Sequence, residues 1–161
     1  MLKDKINEDF KAAFKEKKEG ELSVLKNLKA ALLNKEKEKQ FQAGKAGEDI
    51  AQAALADDDI IAVISTEVKK LRDAIALFEQ GGRADLVAQN KGEIEVLMRY
   101  LPAQLGEDEI KKLVADAVAQ AGAATIKDMG KVMGILMPEI KGKADSGLVG
   151  KLVKEALSQN F

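Results

Sequence analysis

Residues 81–105, GGRADLVAQNKGEIEVLMRYLPAQL, are the stretch from which the rest of the chain is read. It opens on a Gly-Gly breaker and stops at Tyr100-Leu101-Pro102. Leu86, Val87, Asn90, Ile94, Leu97, Met98 and Leu101 recur at three- and four-residue steps, which is one face of a helix. The Pro102 ring crowds the preceding residue out of helical geometry, so the spacing predicts a helix that ends at Leu101. Apolar patterns are long before this point and short after it. Residues 102–106 are therefore read as a hinge between an N-terminal helical domain, 1–101, and a C-terminal three-helix domain, 107–161.

Upstream, Leu2, Ile6, Phe10 and Phe14 step by four, with Ala13 widening the stripe, and predict a helix over 2–18 with these residues inward. Glu19-Gly20-Glu21 reads as a short connection to an antiparallel partner over 21–40, with Leu22, Leu25, Leu28, Leu32 and Leu33 inward. The polar end of that helix, NKEKEKQ, is expected to project beyond the core, and AGKAG (43–47) reads as a mobile loop. EDIAQAALA (48–56) fits a short helix or a loose connection. Asp57-Asp58-Asp59 places acid at a helix start, where it caps free N–H groups and suits the dipole. Three consecutive residues there point in different directions, which disfavours a metal site. The third helix runs to Gln80, with Ile60, Ile61, Ile64, Val68, Leu71, Ile75 and Phe78 inward.

Downstream, the spacing predicts a helix over 107–121 with Ile110, Leu113, Val114, Ala117 and Val118 inward, Gly106 as its cap and Gly122 as its stop. Thr125-x-x-Asp128 resembles a capping box opening a sixth helix, which Gly142 closes. Asp145 caps a seventh that ends near Ser158. No segment alternates with period two over strand length, so the fold class is all-α.

A hydrophobic share of 46% supports a core in a chain of 161 residues. No apolar run approaches the length that spans a bilayer, and the charged, periodic N-terminus reads as helix rather than signal peptide. A cytoplasmic protein without membrane contact is the expectation. With no His and no Cys, the chain has no imidazole base, thiol nucleophile or His/Cys metal ligand, and no motif for a cofactor. Net charge is −1, but residues 1–45 carry twelve Lys against eight acids and 127–161 six Lys against four, whereas 46–126 carry eight basic residues against fifteen acids. Basic ends flank an acidic middle.

Helix six presents two sides. Met129, Met133, Leu136, Met137 and Ile140 form an apolar stripe read as core. Opposite lie Lys127, Gly130, Lys131, Gly134, Pro138 and Lys141, lysines around a strip with almost no side-chain bulk. Glycine inside a helix costs about 1 kcal/mol relative to alanine, so two of them require a reason. Spacing alone favours close packing against a neighbouring helix. The other reading is close approach of a phosphate backbone neutralised by the lysines. Helix seven repeats the pattern, with Leu148, Val149, Leu152, Val153, Ala156 and Leu157 inward and Gly147, Lys151, Lys154 and Ser158 outward. Lys143 stands before its N-terminus, an anion-attracting position for which the Asp145 cap competes. Tyr100 and Phe161 are the nearest aromatics for stacking a base, so contact with backbone and shape is expected.

Two signatures carry a resemblance. Arg83-x-Asp85-Leu86 followed by Glu93-Ile94-x-x-Leu97-x-x-Tyr100-Leu101-Pro102-x-Gln104-Leu105 resembles the centre of YqeY-like proteins, small stand-alone bacterial relatives of the tail of the GatB subunit of tRNA-dependent amidotransferases. Lys127-Asp128-Met129-Gly130-Lys131-Val132-Met133 and Gly142-Lys143-Ala144-Asp145, with Leu148-Val149, resemble the end of the same family. Together they span nearly the whole chain for YqeY and the last third for GatB, from whose usual Asn-Pro after the turn Asp145-Ser146 departs. The resemblance implies a non-catalytic RNA-contacting helical module whose partner is tRNA or a tRNA-handling enzyme. Lys127, Gly130, Lys131, Gly134, Lys141, Lys143, Lys151 and Lys154 would form the contact. An amidotransferase activity would attach to the family name by inheritance, because the glutamine-hydrolysing subunit and the ATP-using cradle are missing. The competing reading is a protein-interaction module, without RNA binding, that docks through the acidic middle or the end of helix two. An enzyme is a third, but Ser65 and Lys69 show no catalytic partner.

Overall fold

Each apolar stripe needs a partner to cover it, and the chain meets that need with helices alone. The computed structural model describes residues 1–159. Among these, the helices are α1 (Leu2–Lys15), α2 (Glu19–Ala46), α3 (Asp57–Gln80), α4 (Ala84–Met98), α5 (Glu107–Ala121), α6 (Met129–Ile140) and α7 (Ser146–Ser158). Single 3-10 turns occur at Ile50–Gln52 and Ile126–Asp128. The fold is all-α. The chain divides into two compact units, Met1–Leu101 and the remainder from Pro102, and each has its own buried cluster.

In the first unit α3 packs along α4 and also meets α1 and α2. Ile60, Ile64 and Val68 are its buried line, facing Ile6, Leu25, Leu28 and Leu32. The turn between α1 and α2 is Glu16–Lys18 rather than the Glu-Gly-Glu triplet. Lys17 takes a left-handed φ of 55°, and the Lys18 N–H returns to the Ala13 carbonyl at 3.0 Å. Phe14 does not join the core and is 68% exposed. The reason is geometric. Four-residue steps advance about 400°, so the row drifts roughly 40° per step, and Phe14 ends on the flank of the helix while Ala13 faces in. Leu33 lies about 100° round the helix from buried Leu32 and is half exposed.

α2 continues through AGKAG, which is helix and not loop. Ala43 is buried with Ala53 and Leu55, and Lys39 Nζ donates to Asp59 Oδ2 at 2.7 Å and to the Ala54 carbonyl at 3.2 Å. These contacts hold the far end of α2 against the 48–56 segment. Gly47, with φ of 73°, supplies the left-handed stop. The three aspartates divide their work: Asp57 Oδ1 accepts from the Leu2 N–H at 2.9 Å, and Asp59 Oδ2 from the Ala56 N–H at 2.9 Å.

α4 stops at Met98, three residues before the expected end. Its last turn tightens, with the Tyr100 and Leu101 N–H groups bonding to the Leu97 and Met98 carbonyls at 3.1 and 3.2 Å. That rotation buries Tyr100 to 4% exposure. Its hydroxyl donates to Asp9 Oδ2 at 2.7 Å, joining the first helix of the unit to the last, and Arg99 pairs with Glu21 at 2.9 Å. Val96 is also buried, whereas Leu86, Val87, Ile94 and Met98 are only half-buried.

In the second unit α5, α6 and α7 each contact the other two. Ile110, Val114, Val132, Leu136, Ile140, Val149, Val153 and Leu157 are almost wholly buried. Gln104 Nε2 donates to the Gly142 carbonyl at 2.7 Å, and the Leu105 N–H donates to the Lys143 carbonyl at 2.8 Å. The segment after Pro102 is thereby tied to the α6–α7 turn of this unit.

Two outcomes follow from these contacts. A fragment of residues 102–161 has a core sharing no residue with the first unit, so it should unfold cooperatively as a helical domain by far-UV dichroism; a coil spectrum would contradict this. Tyr100→Phe should destabilise the first unit by about 1–2 kcal/mol in urea unfolding, since a buried bond to a charged group is lost. Burial, and then the neighbouring Asp9 carboxylate, push the Tyr100 phenol well above its ordinary range. The protonated phenol thus stabilises the fold below about pH 10. Above that the unfolded chain releases the proton first and the advantage declines, so the gap between wild type and Tyr100→Phe should narrow as pH rises.

Candidate nucleic-acid interface

The second unit presents the open edge of α6, and its local geometry begins at Asp128. Asp128 Oδ2 accepts from the Ala124 and Thr125 N–H groups, both at 3.1 Å. Those backbone bonds, with a smaller contribution from Lys131, hold its carboxyl below the usual range. Asp128 Oδ1 also meets Lys131 Nζ at 3.4 Å. The 3-10 turn Ile126–Asp128 then leads into α6, which rests on Val132, Leu136 and Ile140. Val132 is fully buried, although the methionine stripe drew attention elsewhere; Met137, expected inward, is 43% exposed. The apolar arc is centred on the line from 132 to 140, and Met137 lies about 60° to 140° from its members.

Gly130, Gly134 and Pro138 follow one another at four-residue steps along the exposed side. A Cβ at Gly130 or Gly134 would meet no atom within 4 Å. Close packing against a neighbouring helix is therefore excluded within this unit, and the strip is open surface. Pro138 has no N–H to offer the Gly134 carbonyl, which weakens the ladder beneath the strip. Lys127 and Lys141 stand at its two ends and Lys131 along one border, all exposed.

The remaining candidates divide. Gly150 of α7 adjoins the start of α6, since a Cβ there would lie 3.6 Å from Met129 Cε. Lys154 is one turn further along that edge, so it extends the α6 surface. Lys151 lies about 60° round α7 from Lys154. It pairs with Glu155 at 3.9 Å and, after Lys111, adds to the positive field that keeps Glu107 below the usual carboxylate range. Lys111 binds Glu107 at 2.7 Å, and that contact raises the lysine in turn. Lys151 thus lies close enough to α5 for its charge to be felt there, beside two ion pairs that each stay within one helix. Lys143 is exposed in a turn fixed by its own backbone bonds to Leu105 and Ile140. The N-terminus of α7 is occupied, because Asp145 Oδ1 accepts from the Leu148 N–H at 2.9 Å; an anion there would displace the cap.

Tyr100 does not serve as a stacking platform, since it is buried in the first unit, and Phe161 lies outside the described residues. No cluster of His, Cys, Asp or Glu among the described residues fits a metal ion, and no described helix is long and apolar enough to cross a membrane. Ser65 Oγ is buried without a hydrogen-bond partner, and Lys69 pairs with Asp73 at 3.3 Å.

These features define an all-α protein of two units, the second carrying a basic helix edge. The chain belongs to the YqeY-like protein family, whose pattern matches residues 3–157. It is similar to "Altered inheritance of mitochondria protein 41, mitochondrial" of Pyrenophora tritici-repentis, 27% identical over 157 residues, which covers 95% of this chain and 79% of that protein. It is also similar to a glutamyl-tRNA(Gln) amidotransferase subunit of Methanospirillum hungatei, 33% identical over 78 residues, 45% of this chain but 12% of that protein.

The open strip makes a stability prediction. Gly134→Ala should stabilise the second unit by about 0.5–1 kcal/mol in thermal or urea unfolding, because the helix gains propensity and the methyl meets nothing. A loss of stability would restore the packing explanation.

Proposed function

We propose that this protein is a non-catalytic accessory of tRNA or of a tRNA-handling enzyme, and that it meets RNA through the open edge of α6. The observation that carries the reading is the pair of helical glycines with empty space where side chains would stand. A helix that accepts the propensity cost of two glycines without packing against them keeps that surface flat for something outside the chain. Lysines at both ends and along one side suit a phosphate backbone, which approaches a smooth helix more closely than one with projecting side chains. Family membership and the similarity to a glutamyl-tRNA(Gln) amidotransferase subunit support the same reading. The chain has no His and no Cys for the chemistry such enzymes commonly use. Recognition should be of backbone and shape, since no aromatic side chain among the described residues accompanies the edge.

Binding of unfractionated tRNA, measured at two salt concentrations, tests this directly. Affinity should fall steeply with salt, and Lys127→Glu combined with Lys131→Glu should weaken all tRNAs alike and reduce the salt slope by about 2. Lys151→Ala should weaken affinity less, because Lys151 lies off the α6 edge, beside Glu155 and near Glu107. Absence of tRNA binding at low salt would favour the competing reading, a protein-interaction module.

A further inference from the structure

The first unit carries a separate feature that the reading above does not use. Phe14 projects from the end of α1 at 68% exposure. The chain has five phenylalanines, and two others near the surface have a lysine ammonium over the ring: Lys29 over Phe10 at 4.5 Å and Lys45 over Phe41 at 4.8 Å. Phe14 has no such cover among the described residues. Around it stand Lys11, one turn before, and Lys15 and Lys17, just after, all exposed. None of these three has a carboxylate partner among the described residues; the nearby Glu16 pairs with Lys18 at 2.6 Å. The left-handed φ of Lys17 ends the helix one turn past the ring, so solvent reaches Phe14 from beyond the helix end as well.

An open aromatic face with three uncompensated positive charges is complementary to a nucleobase with adjoining phosphates. Any base offers a face to stack on, and the backbone on either side carries the negative charge that the lysines lack. A membrane suits the geometry less well. The apolar stripe of α1, namely Leu2, Ile6, Phe10 and Ala13, is committed to the core, so only one large apolar side chain remains to insert, where an interfacial helix needs a whole face. A protein partner would require a continuous apolar patch, and here the ring is surrounded by lysines.

We propose that the end of α1 is a single-stranded RNA contact, in which a base stacks on Phe14 and neighbouring phosphates meet Lys11, Lys15 and Lys17. This rests on the reading that the protein handles RNA, but it uses the other unit, so the two fail separately. The chain has no tryptophan, so F14W introduces a unique fluorophore at the contact. With the full-length protein and a roughly ten-nucleotide oligoadenylate, the introduced indole should be quenched on binding, and anisotropy should report binding retained in F14W. Phe14→Ala should weaken that oligonucleotide about 5- to 100-fold, the loss of one stacked base. Lys11→Glu with Lys15→Glu should weaken it and flatten the salt dependence, whereas Lys127→Glu with Lys131→Glu should leave it unchanged. Phe14 lies outside the core, so unchanged melting of Phe14→Ala separates loss of contact from loss of fold. Oligoadenylate binding indifferent to Phe14→Ala overturns the proposal. So does tRNA binding without oligoadenylate binding, which leaves the α6 reading intact. Phe14-dependent binding to anionic phosphatidylserine vesicles in the absence of oligonucleotide binding also overturns it, in favour of a lipid surface.

Discussion

Burial of one apolar stripe per helix is the force on which everything else in this protein rests. The chain has no cysteine to cross-link it, and no metal-type cluster occurs among its described residues. Helix–helix contact must therefore provide most of the stabilisation, and each helix must find a partner for a narrow face. The first unit solves this around α3, whose buried line from Ile60 to Val68 is shared by α1, α2 and α4. The second solves it with three mutually contacting short helices. Polar contacts then fix the ends: Tyr100 to Asp9 in one unit, and Gln104 and Leu105 to the 142–143 turn in the other.

Because only one face of each helix is needed for the core, the opposite faces are free to differ, and they do. On α5 and along one side of α7 outer positions carry charges that compensate one another, as in the Glu107–Lys111 and Lys151–Glu155 pairs. Such exposed pairs contribute little to stability but keep the local field near neutral. On α6 the outer line is Gly130, Gly134 and Pro138, with Lys127 and Lys154 nearby lacking acidic partners among the described residues. At the end of α1 an uncovered phenyl ring sits among similarly uncompensated lysines. The two surfaces differ in kind. One is smooth; the other has an exposed ring.

The glycines show how the same sequence feature takes opposite meanings in different places. Gly44 of α2 packs near Ile50, where a Cβ would make ordinary contact at 3.6 Å. Gly147 lies beneath the Asp145 cap, and a Cβ there would approach the capping oxygen to 3.0 Å. Gly130 and Gly134 face open space. Spacing along the chain treats all four alike as weak points in helices, and only the neighbours distinguish a glycine beside a packed side chain or a cap from one that leaves a surface bare.

The sequence by itself determined the fold class, the helix order and most cap positions, because these depend on interactions within a few residues. Gly106, Gly122 and Asp145 cap or stop helices as their local chemistry dictates. Tertiary structure decided which residues at the margins of each stripe are buried. Phe14 and Met137 satisfy a four-residue spacing, and Leu33 adjoins the stripe of α2, yet all three lie outside the core, since the margin of each stripe is resolved only by where the partner helix sits. It also decided the fate of residues 43–46, helical where Ala43 is buried and the end of α2 is bonded to the 48–56 segment, and of Tyr100, whose burial follows from a turn tightened before Pro102. Finally, it separated the lysines. The Lys151–Glu155 pair is an i,i+4 pair already visible in the chain, but that Lys151 also adds to the field at Glu107 of α5, whereas Lys127 is exposed, depends on which helix lies beside each.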